Sequence, residues 1–361
     1  MAAPDSMSSR RPAINENLTA QAPGKIAHDA ALGSTPDTVL WGYLAANVPP
    51  ALTIKSGQIV EIETLSHQGL VTDQEPVKFF GAYGIPPEQV LPDAIAVYSE
   101  VKRPKGGGVH VLTGPIYIEG AEPGDMLEVR VLDIKIRVPY GVNRTGPGRG
   151  VLPELLREQA TKIIRLDLGR NVAVFSEEVE IPLNPFMGIM AVAPPRSSGM
   201  VSTTPPGLWG GNMDLKELVQ GSTLYLPVFN KGAQFYTGDG HSAQGDGEVD
   251  GGAIETSLTP TLQFLLHKGK NLKTPRAETP THHLAMGLSV DLNEATKMAV
   301  QETVNFLQAE KGLSAADAYA LSSLAVDLAI AEDVDVVNLV CAKIPKGIFK
   351  SNPDYWFKPS P

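Results

Sequence analysis

Between residues 238 and 256 the sequence combines acidic side chains, one histidine and several glycines. The potential ligands in this segment are Asp239, His241, Asp246, Glu248, Asp250 and Glu255. Holding so many like charges close together is costly unless a cation or protons neutralise some of them. Glycine permits a positive φ, which lets ligand groups converge from several directions. The segment therefore predicts a divalent metal site with oxygen and imidazole ligands.

The spacing of these residues supports convergence on one face. Asp239 and His241 are two residues apart, as are Asp246 and Glu248, and such pairs share a face when the backbone is extended. The alternative is an acidic, glycine-rich surface loop. Apolar strand patterns on both sides of the segment favour burial over that alternative. The spacing matches neither an EF-hand loop nor a P-loop.

Three further positions are candidates for the same site. Asp214 and Asn212 follow two glycines. Either Asp214 binds the metal and Asn212 binds the substrate carbonyl, or the pair caps a short helical turn. The two interpretations have equal support. His110 lies in an apolar strand pattern, where a histidine is more often a core residue than a ligand. Glu119 follows a predicted strand and is less easily explained as part of a turn.

Strands must position most of these residues, because short alternating apolar patterns dominate up to about residue 265. The strand patterns cover 51–54, 59–64, 109–112, 116–118, 126–136, 172–175, 179–181, 223–228 and 253–266. Thr113–Pro115 separates the patterns 109–112 and 116–118, and a bulge is expected after Leu132. Two long glycine- and proline-rich loops, 140–153 and 193–211, are expected to be functional.

Helical periodicity begins only near the C-terminus. Residues 292–308 form an amphipathic pattern that Asp291 or Asn293 can cap and Gly312 can end. Ser314 opens a second helix, and residues 334–343 then read as a strand. We therefore expect a mainly β protein with added α, an α+β fold whose sandwich or barrel-like body carries C-terminal helices.

Composition excludes several function classes. The net charge is −10 with no basic stripe, which argues against nucleic acid as a partner. No apolar run reaches the roughly 20 residues that span a bilayer, so we expect no membrane insertion. A lone cysteine, Cys341, excludes an intrachain disulfide framework and fits a reducing compartment, and no signal peptide pattern is present. We therefore predict a cytoplasmic protein.

Residues 235–249, which contain the acidic and histidine ligands, resemble the signature of the acetamidase/formamidase family. Further blocks match that family in the same order, and together the resemblance covers about residues 45–350. The blocks are 110–125, 184–194, 210–214, 221–228, 278–282, 311–317 and 324–327.

The resemblance implies a metal-dependent hydrolase that releases ammonia from a small carboxylic amide. It implies metal ligands at Asp214, Asp239, His241 and His110, with zinc expected first and calcium as the alternative. Glu248, His241 and Glu119 are then the catalytic candidates. The substrate-binding candidates are Asn212, Asp246 and Asp250. Family members are oligomeric, so a homo-oligomer, a dimer or larger, is expected.

Composition and the resemblance together predict how the chain is divided. Residues 1–24 are polar and weakly periodic and are expected to be a flexible tail, whereas 25–361 is expected to be a catalytic unit. Within that unit, 25–270 is β-rich, 271–345 contains the helices and 346–361 is a C-terminal tail.

Two departures from the family pattern leave alternatives open. Asp250 stands where the family usually has cysteine, and residues 66–104 differ from the short-amide enzymes. The second departure allows a hydrolase for a larger amide, carbamoyl or lactam bond. The first allows a member that binds a metal or ligand without catalysis.

Overall fold

The computed structural model describes residues 26–358, so the predicted tail at 1–24 lies outside the described part. The strands there are β1 (Ala30–Leu32), β2 (Val39–Trp41), β3 (Tyr43–Leu44), β4 (Leu52–Ile54), β5 (Ile59–Ile62), β6 (Val111–Ile118), β7 (Met126–Ile136), β8 (Tyr140–Thr145), β9 (Ala160–Asp167), β10 (Val172–Val174), β11 (Glu180–Pro182), β12 (Phe186–Val192), β13 (Val201–Ser202), β14 (Gly210–Asn212), β15 (Thr223–Pro227), β16 (Phe235–His241), β17 (Leu258–His267), β18 (Arg276–Glu278), β19 (His282–Ser289), β20 (Asp327–Glu332) and β21 (Asn338–Pro345). The α-helices are α1 (Pro76–Gly81), α2 (Pro92–Glu100), α3 (Leu292–Lys311) and α4 (Ala315–Ala325).

Two large open sheets form the body of this mainly β fold. One has nine strands in the order β1-β5-β17-β7-β15-β18-β19-β21-β20. The other has the order β14-β12-β16-β6-β2, with β4 also paired to β6. A single apolar core joins them, in which the rings of Phe235 on β16 and Phe264 on β17 lie 5.0 Å apart. The predicted mainly β class and sandwich packing are confirmed, and neither sheet closes into a barrel.

The longest strand, β7, follows its sequence pattern closely. Leu127, Val129 and Val131 point into the core. The register to β17 pairs Val131 with Leu262 and Asp133 with Thr261, so Leu132 has no partner across the strand pair. This irregularity is the predicted bulge, which resets which side chains face inward.

The two strand patterns on either side of Thr113–Pro115 form one strand, β6. This strand pairs with β16 on one side and with β2 and then β4 on the other. Its register to β16 shifts between Thr113 and Ile116, so the glycine and proline cause an irregularity without ending the strand. As a result, His110 lies directly before a central strand of the smaller sheet.

The C-terminal helices form where the caps predicted them. Asp291 accepts hydrogen bonds from the backbone N–H groups of Asn293 and Glu294, and Gly312 ends α3 with a φ of 67°. Ser314 accepts from the backbone N–H of Asp317 at the start of α4. The helices of residues 26–358 are too short or too polar to cross a membrane.

Helices α1 and α2 were not predicted. Each begins with a proline, which favours the first turn of a helix, but neither has a side-chain cap. Phe79 and Phe80 of α1 pack against Tyr140 and Val142 of β8, while Val97 of α2 packs near Val111 of β6. The segment 66–104, which departs from the family pattern, thus packs against β8 and β6, and β6 is the neighbour of β16.

The C-terminal part of the chain shares the large sheet. Strands β18, β19, β21 and β20 extend it beyond β15, so the expected division at residue 270 falls inside one sheet. Residues 346–358 pack back onto the body, where Trp356 Nε1 donates to Thr223 Oγ1 at 2.7 Å.

Candidate functional site

Strand β16 carries Asp239 and His241 into the interior of the smaller sheet. It pairs with β12 on one side and β6 on the other, and all its residues are buried. Asp239 has a φ of 59°, and Asp214 and Glu248 have φ values of 43° and 45°. Side chains other than glycine rarely adopt this left-handed region, which costs about 1–3 kcal/mol and clusters at functional sites.

His241 is the centre of the cluster. Its Nε2 lies 3.3 Å from Asp239 Oδ2 and 3.3 Å from Glu255 Oε2, and its Nδ1 lies 3.7 Å from Asp214 Oδ1. Glu255 reaches this position because its backbone forms an antiparallel bridge with His241. Glu248 belongs to the same group, since one donor atom each of Asp214, His241 and Glu248 lie within 4.8 Å of one another.

Asp239 connects His241 to two further histidines. His110 Nε2 lies 3.7 Å from Asp239 Oδ2, and His67 Nδ1 lies 3.5 Å from Asp239 Oδ1. Three overlapping donor groups result, because Asp239 and His241 each belong to two of them. The arrangement offers donors for one cation or for two neighbouring ones.

Hydrogen bonds fix the orientation of these rings. His110 Nδ1 lies 3.0 Å from Thr203 Oγ1, and His241 Nδ1 lies 2.9 Å from Gln244 Oε1. Gln244 in turn donates to the backbone carbonyl of Asp214 at 2.8 Å. Such outer contacts typically hold metal-binding imidazoles in one tautomer and orientation.

Several buried donor atoms at the centre have no hydrogen-bond partner among the described residues. They are His67 Nδ1, Asp214 Oδ1, Asp239 Oδ1, His241 Nε2 and Glu255 Oε2. Buried polar atoms nearly always have a hydrogen-bond partner. Several neighbouring nitrogen and oxygen atoms without one therefore indicate a missing partner. The chemistry of the set, imidazole nitrogens with carboxylate oxygens, fits a divalent cation.

Gly188 of β12 leaves room for this cluster. A Cβ at this position would lie 2.4 Å from Asp214 Oδ1 and 2.6 Å from Asp239 Oδ2. Any side chain there would collide with both carboxylates, so the backbone of β12 forms the floor beneath the donors.

Burial and neighbouring charges raise the pKa of some groups in the cluster and lower the pKa of others. Burial raises the pKa of Asp214 and of Glu248 well above the usual range, and in Asp214 the charge of Glu248 adds to this. Burial also opposes charge on His241, but the carboxylates of Glu255 and Asp239 raise its pKa well above 6.5. Burial lowers the pKa of His110 to about 4, which favours a neutral imidazole able to bind metal.

All of these residues except His241 line a cavity of about 290 Å³. Glu248 lines this cavity and also a neighbouring one of about 550 Å³, whose wall includes Phe175 and Ile254. The acidic centre therefore adjoins a larger, mostly apolar space.

The structure brings together five residues that the sequence singled out: His110, Asp214, Asp239, His241 and Glu248. Asn212 lines the same cavity and donates to Asp335 Oδ2 at 2.6 Å.

The structure does not bring three other candidates into the cluster. Glu119 is exposed at the end of β6. Asp246 pairs with Lys216 at 2.8 Å, and Asp250 accepts a hydrogen bond from Asn143 Nδ2 at 3.0 Å. Both line the neighbouring apolar cavity, which places them beside the donors.

Sequence analysis missed His67 and Asp335. His67 had no local motif, and it reaches Asp239 only through the tertiary fold. Glu255 was named among the potential ligands of the segment, but it was not assigned a role at the site. Asp335 lies in a loop after β20, a strand that the sequence did not predict.

The sequence matches the profile of the Acetamidase/Formamidase family over residues 95–200 and 197–351. It is 28% identical to the formamidase of Methylophilus methylotrophus over 251 residues, covering 51% of this chain and 60% of that protein. It is 29% identical to the acetamidase of Mycolicibacterium smegmatis over 220 residues, covering 44% and 54%. The chain thus spans 54–60% of the length of these two curated relatives.

A solved structure of similar fold is the acetamidase of Bacillus halodurans. It superposes with a TM-score of 0.74 at 29% identity, covering 89% of this chain and 98% of that one.

Proposed function

The chain belongs to the acetamidase/formamidase family, and from that premise we propose that it hydrolyses the C–N bond of a small carboxylic amide. Water and the amide yield a carboxylate and an ammonium ion. The observation that carries this proposal is the convergence of unsatisfied buried donors beside a cavity that also contains a buried glutamate. Metal-assisted hydrolysis needs both features in one place.

We assign the cation to Asp214, Asp239, His241 and His110, with His67 and Glu255 as added donors. The mixed nitrogen and oxygen ligands favour zinc, because calcium is typically bound by oxygen alone. A bound divalent cation would polarise the amide carbonyl and lower the pKa of a water molecule. His241 binds either a proton or the cation, since the carboxylates that raise its pKa also attract a metal.

Glu248 is the proposed general base and acid. Its burial raises its pKa, which makes the carboxyl able both to accept a proton from water and to return it. The amide nitrogen is a poor leaving group, so the C–N bond breaks only when that nitrogen receives a proton. Glu248 Oε atoms would deliver it after the tetrahedral carbon forms.

Asn212 is the proposed contact for the substrate carbonyl. One of its two Nδ2 hydrogens is donated to Asp335, which leaves the second for an oxygen in the cavity. Asp250 and Asp246 line the neighbouring cavity, so we assign them to its wall, beside the reacting bond rather than at it.

Ammonia release from a panel of amides tests this function. Purified full-length protein should hydrolyse at least one of formamide, acetamide and propionamide, and the rate should fall when Glu248 is replaced by glutamine. Binding of these amides without ammonia release would overturn the proposal in favour of a non-catalytic family member. Light scattering of the same preparation would test the expected homo-oligomer.

A further inference from the structure

Two arginines line the same cavity as the acidic cluster. Arg144 lies near the end of β8, and Arg149 follows in the glycine-rich loop that leads to β9. Both are half-buried. Neither belonged to the residues that the metal and family arguments singled out.

Neither arginine forms an ion pair within 4.0 Å with a described residue, although the positive charge of Arg149 acts on the nearby Asp250 and opposes the rise in the pKa of that carboxyl group. Arg144 makes no hydrogen bond or ion pair with a described residue, and the Nε atoms of both side chains are buried without a partner. Arg149 donates from Nη2 to the carbonyl of Gly251 and forms no ion pair within 4.0 Å. Half-buried arginines elsewhere behave differently. Arg137 pairs with Asp93 at 2.9 Å and Arg130 with Glu128 at 2.6 Å.

The two guanidinium groups are also neighbours. Burial lowers the pKa of Arg144, and the charge of Arg149 lowers it further. Two like charges that are partly removed from water destabilise one another unless an anion lies between or beside them. Guanidinium groups bind carboxylates with two parallel hydrogen bonds, which makes a carboxylate the simplest such anion.

The loop that carries Arg149 is held against the catalytic segment. Val151 donates its backbone N–H to the carbonyl of Val249 at 3.0 Å. Gly150 has a φ of 67°, and a Cβ there would lie 2.3 Å from the same carbonyl. This close approach fixes Arg149 relative to Glu248, so an anion on the arginines and an amide at Glu248 would occupy one cavity.

We propose that the substrate is an anionic amide, with a carboxylate held by Arg144 and Arg149 while its amide group lies beside Glu248. The substrate class is the short monoamides of dicarboxylic acids. This inference rests on the proposed amide hydrolysis and specifies its substrate. The acidic cluster would repel the carboxylate of such a substrate, whereas the arginine pair would attract it. Together the two effects favour one orientation of the substrate in the cavity.

The test compares succinamate with levulinamide, in which a methyl ketone replaces the carboxylate of succinamate. The wild-type protein should have a kcat/KM for succinamate at least about 10-fold higher. In Arg144→Gln, Arg149→Gln and the double variant, the ratio of the two kcat/KM values should fall about 10- to 100-fold, mainly through the KM of succinamate. Arg196→Gln, which changes an exposed arginine outside the cavity, should keep the wild-type ratio.

The outcomes separate this inference from the proposed function. Equal kcat/KM values for the two amides, or an equal loss of kcat/KM for both in the variants, would overturn the proposal of an anionic substrate. The proposed amide hydrolysis would be unaffected by that result. If no amide is hydrolysed, the proposed function fails and the substrate assignment fails with it. Calorimetric titration with succinate then tests the anion site alone, and binding that persists in the double variant would overturn that site as well. Thermal unfolding checks that the variants fold.

Discussion

Two polar clusters that each contain histidine and glutamate have opposite electrostatics. The catalytic cluster around Asp239 and His241 lies in the smaller sheet, and several of its buried nitrogen and oxygen atoms lack hydrogen-bond partners. The second cluster, here called the outer network, joins Tyr225, Glu278, His283 and Lys346 on the nine-stranded sheet. There Glu278 accepts a hydrogen bond from Tyr225 at 2.7 Å and pairs with His283 at 3.1 Å and Lys346 at 2.9 Å.

The pKa values show what this difference means. Burial opposes charge on Glu278, but its hydrogen bonds from His283, Lys346 and Tyr225 lower its pKa to about 2. Burial raises the pKa of Glu248, and no comparable set of partners reverses it. A satisfied carboxylate stabilises the fold, whereas an unsatisfied one is available for a ligand or a proton. The comparison predicts that neutralising Glu248 lowers turnover, whereas neutralising Glu278 lowers the stability of the fold.

The largest effect is expected at Glu248. Replacing Glu248 by glutamine removes the proton-transfer group, so amide turnover should fall about 10²- to 10⁴-fold. Stability should not fall, because the substitution removes a buried, poorly partnered carboxyl group. Ammonia release and chemical denaturation measure the two quantities. Retained turnover would remove Glu248 from the mechanism.

Glu278→Gln should have the reverse effect. The substitution leaves Lys346 and His283 without their anion, which should lower the free energy of unfolding by about 2–3 kcal/mol. Turnover per folded molecule should stay within about twofold, since the outer network does not line the catalytic cavity. A large loss of turnover with unchanged stability would contradict the contrast between the two clusters.

Acid should reduce the difference between wild type and Glu278→Gln. The folded pKa of Glu278 is lowered from 4.5 to about 2, so its contribution is fully present above pH 4.5 and is lost as pH falls toward 2. This lowering corresponds to about 3 kcal/mol. Denaturation at pH 7 and at several values down to pH 3 should show the two proteins converging. A constant difference would mean that Glu278 is not held ionised.

Asp246→Asn should have the smallest effect. Asp246 is 36% exposed and pairs with Lys216 near the surface, and such pairs contribute about 0–1 kcal/mol. Turnover should change by less than about threefold, because Asp246 lies beside the donors rather than among them. A loss comparable to that of Glu248→Gln would show that the catalytic group extends into the neighbouring cavity.

Local signals explain which parts of the structure the sequence predicted. Asp291, Gly312 and Ser314 set helix ends through contacts with their own neighbours, and the bulge at Leu132 follows from the strand's own alternation. The spacing of Asp239 and His241 was also informative, because both lie on one strand.

Other features depend on contacts that no local pattern contains. His67 precedes a segment with little strand or helix signal, yet it meets Asp239 from a distant part of the chain. Helices α1 and α2 lack side-chain caps, so their packing against β8 and β6 stabilises them instead. The orphaned arginines were equally invisible, because the absence of a partner appears only in the folded chain.

The central claim is that the unsatisfied donors hold a divalent cation that amide hydrolysis requires. The most direct measurement is elemental analysis of the purified protein together with turnover of the amide that it hydrolyses fastest, before chelation, after chelation and after adding zinc. The account predicts at least one divalent cation per chain, loss of turnover with the cation, and recovery on reloading. A protein that remains fully active after its divalent cations have been removed would contradict it.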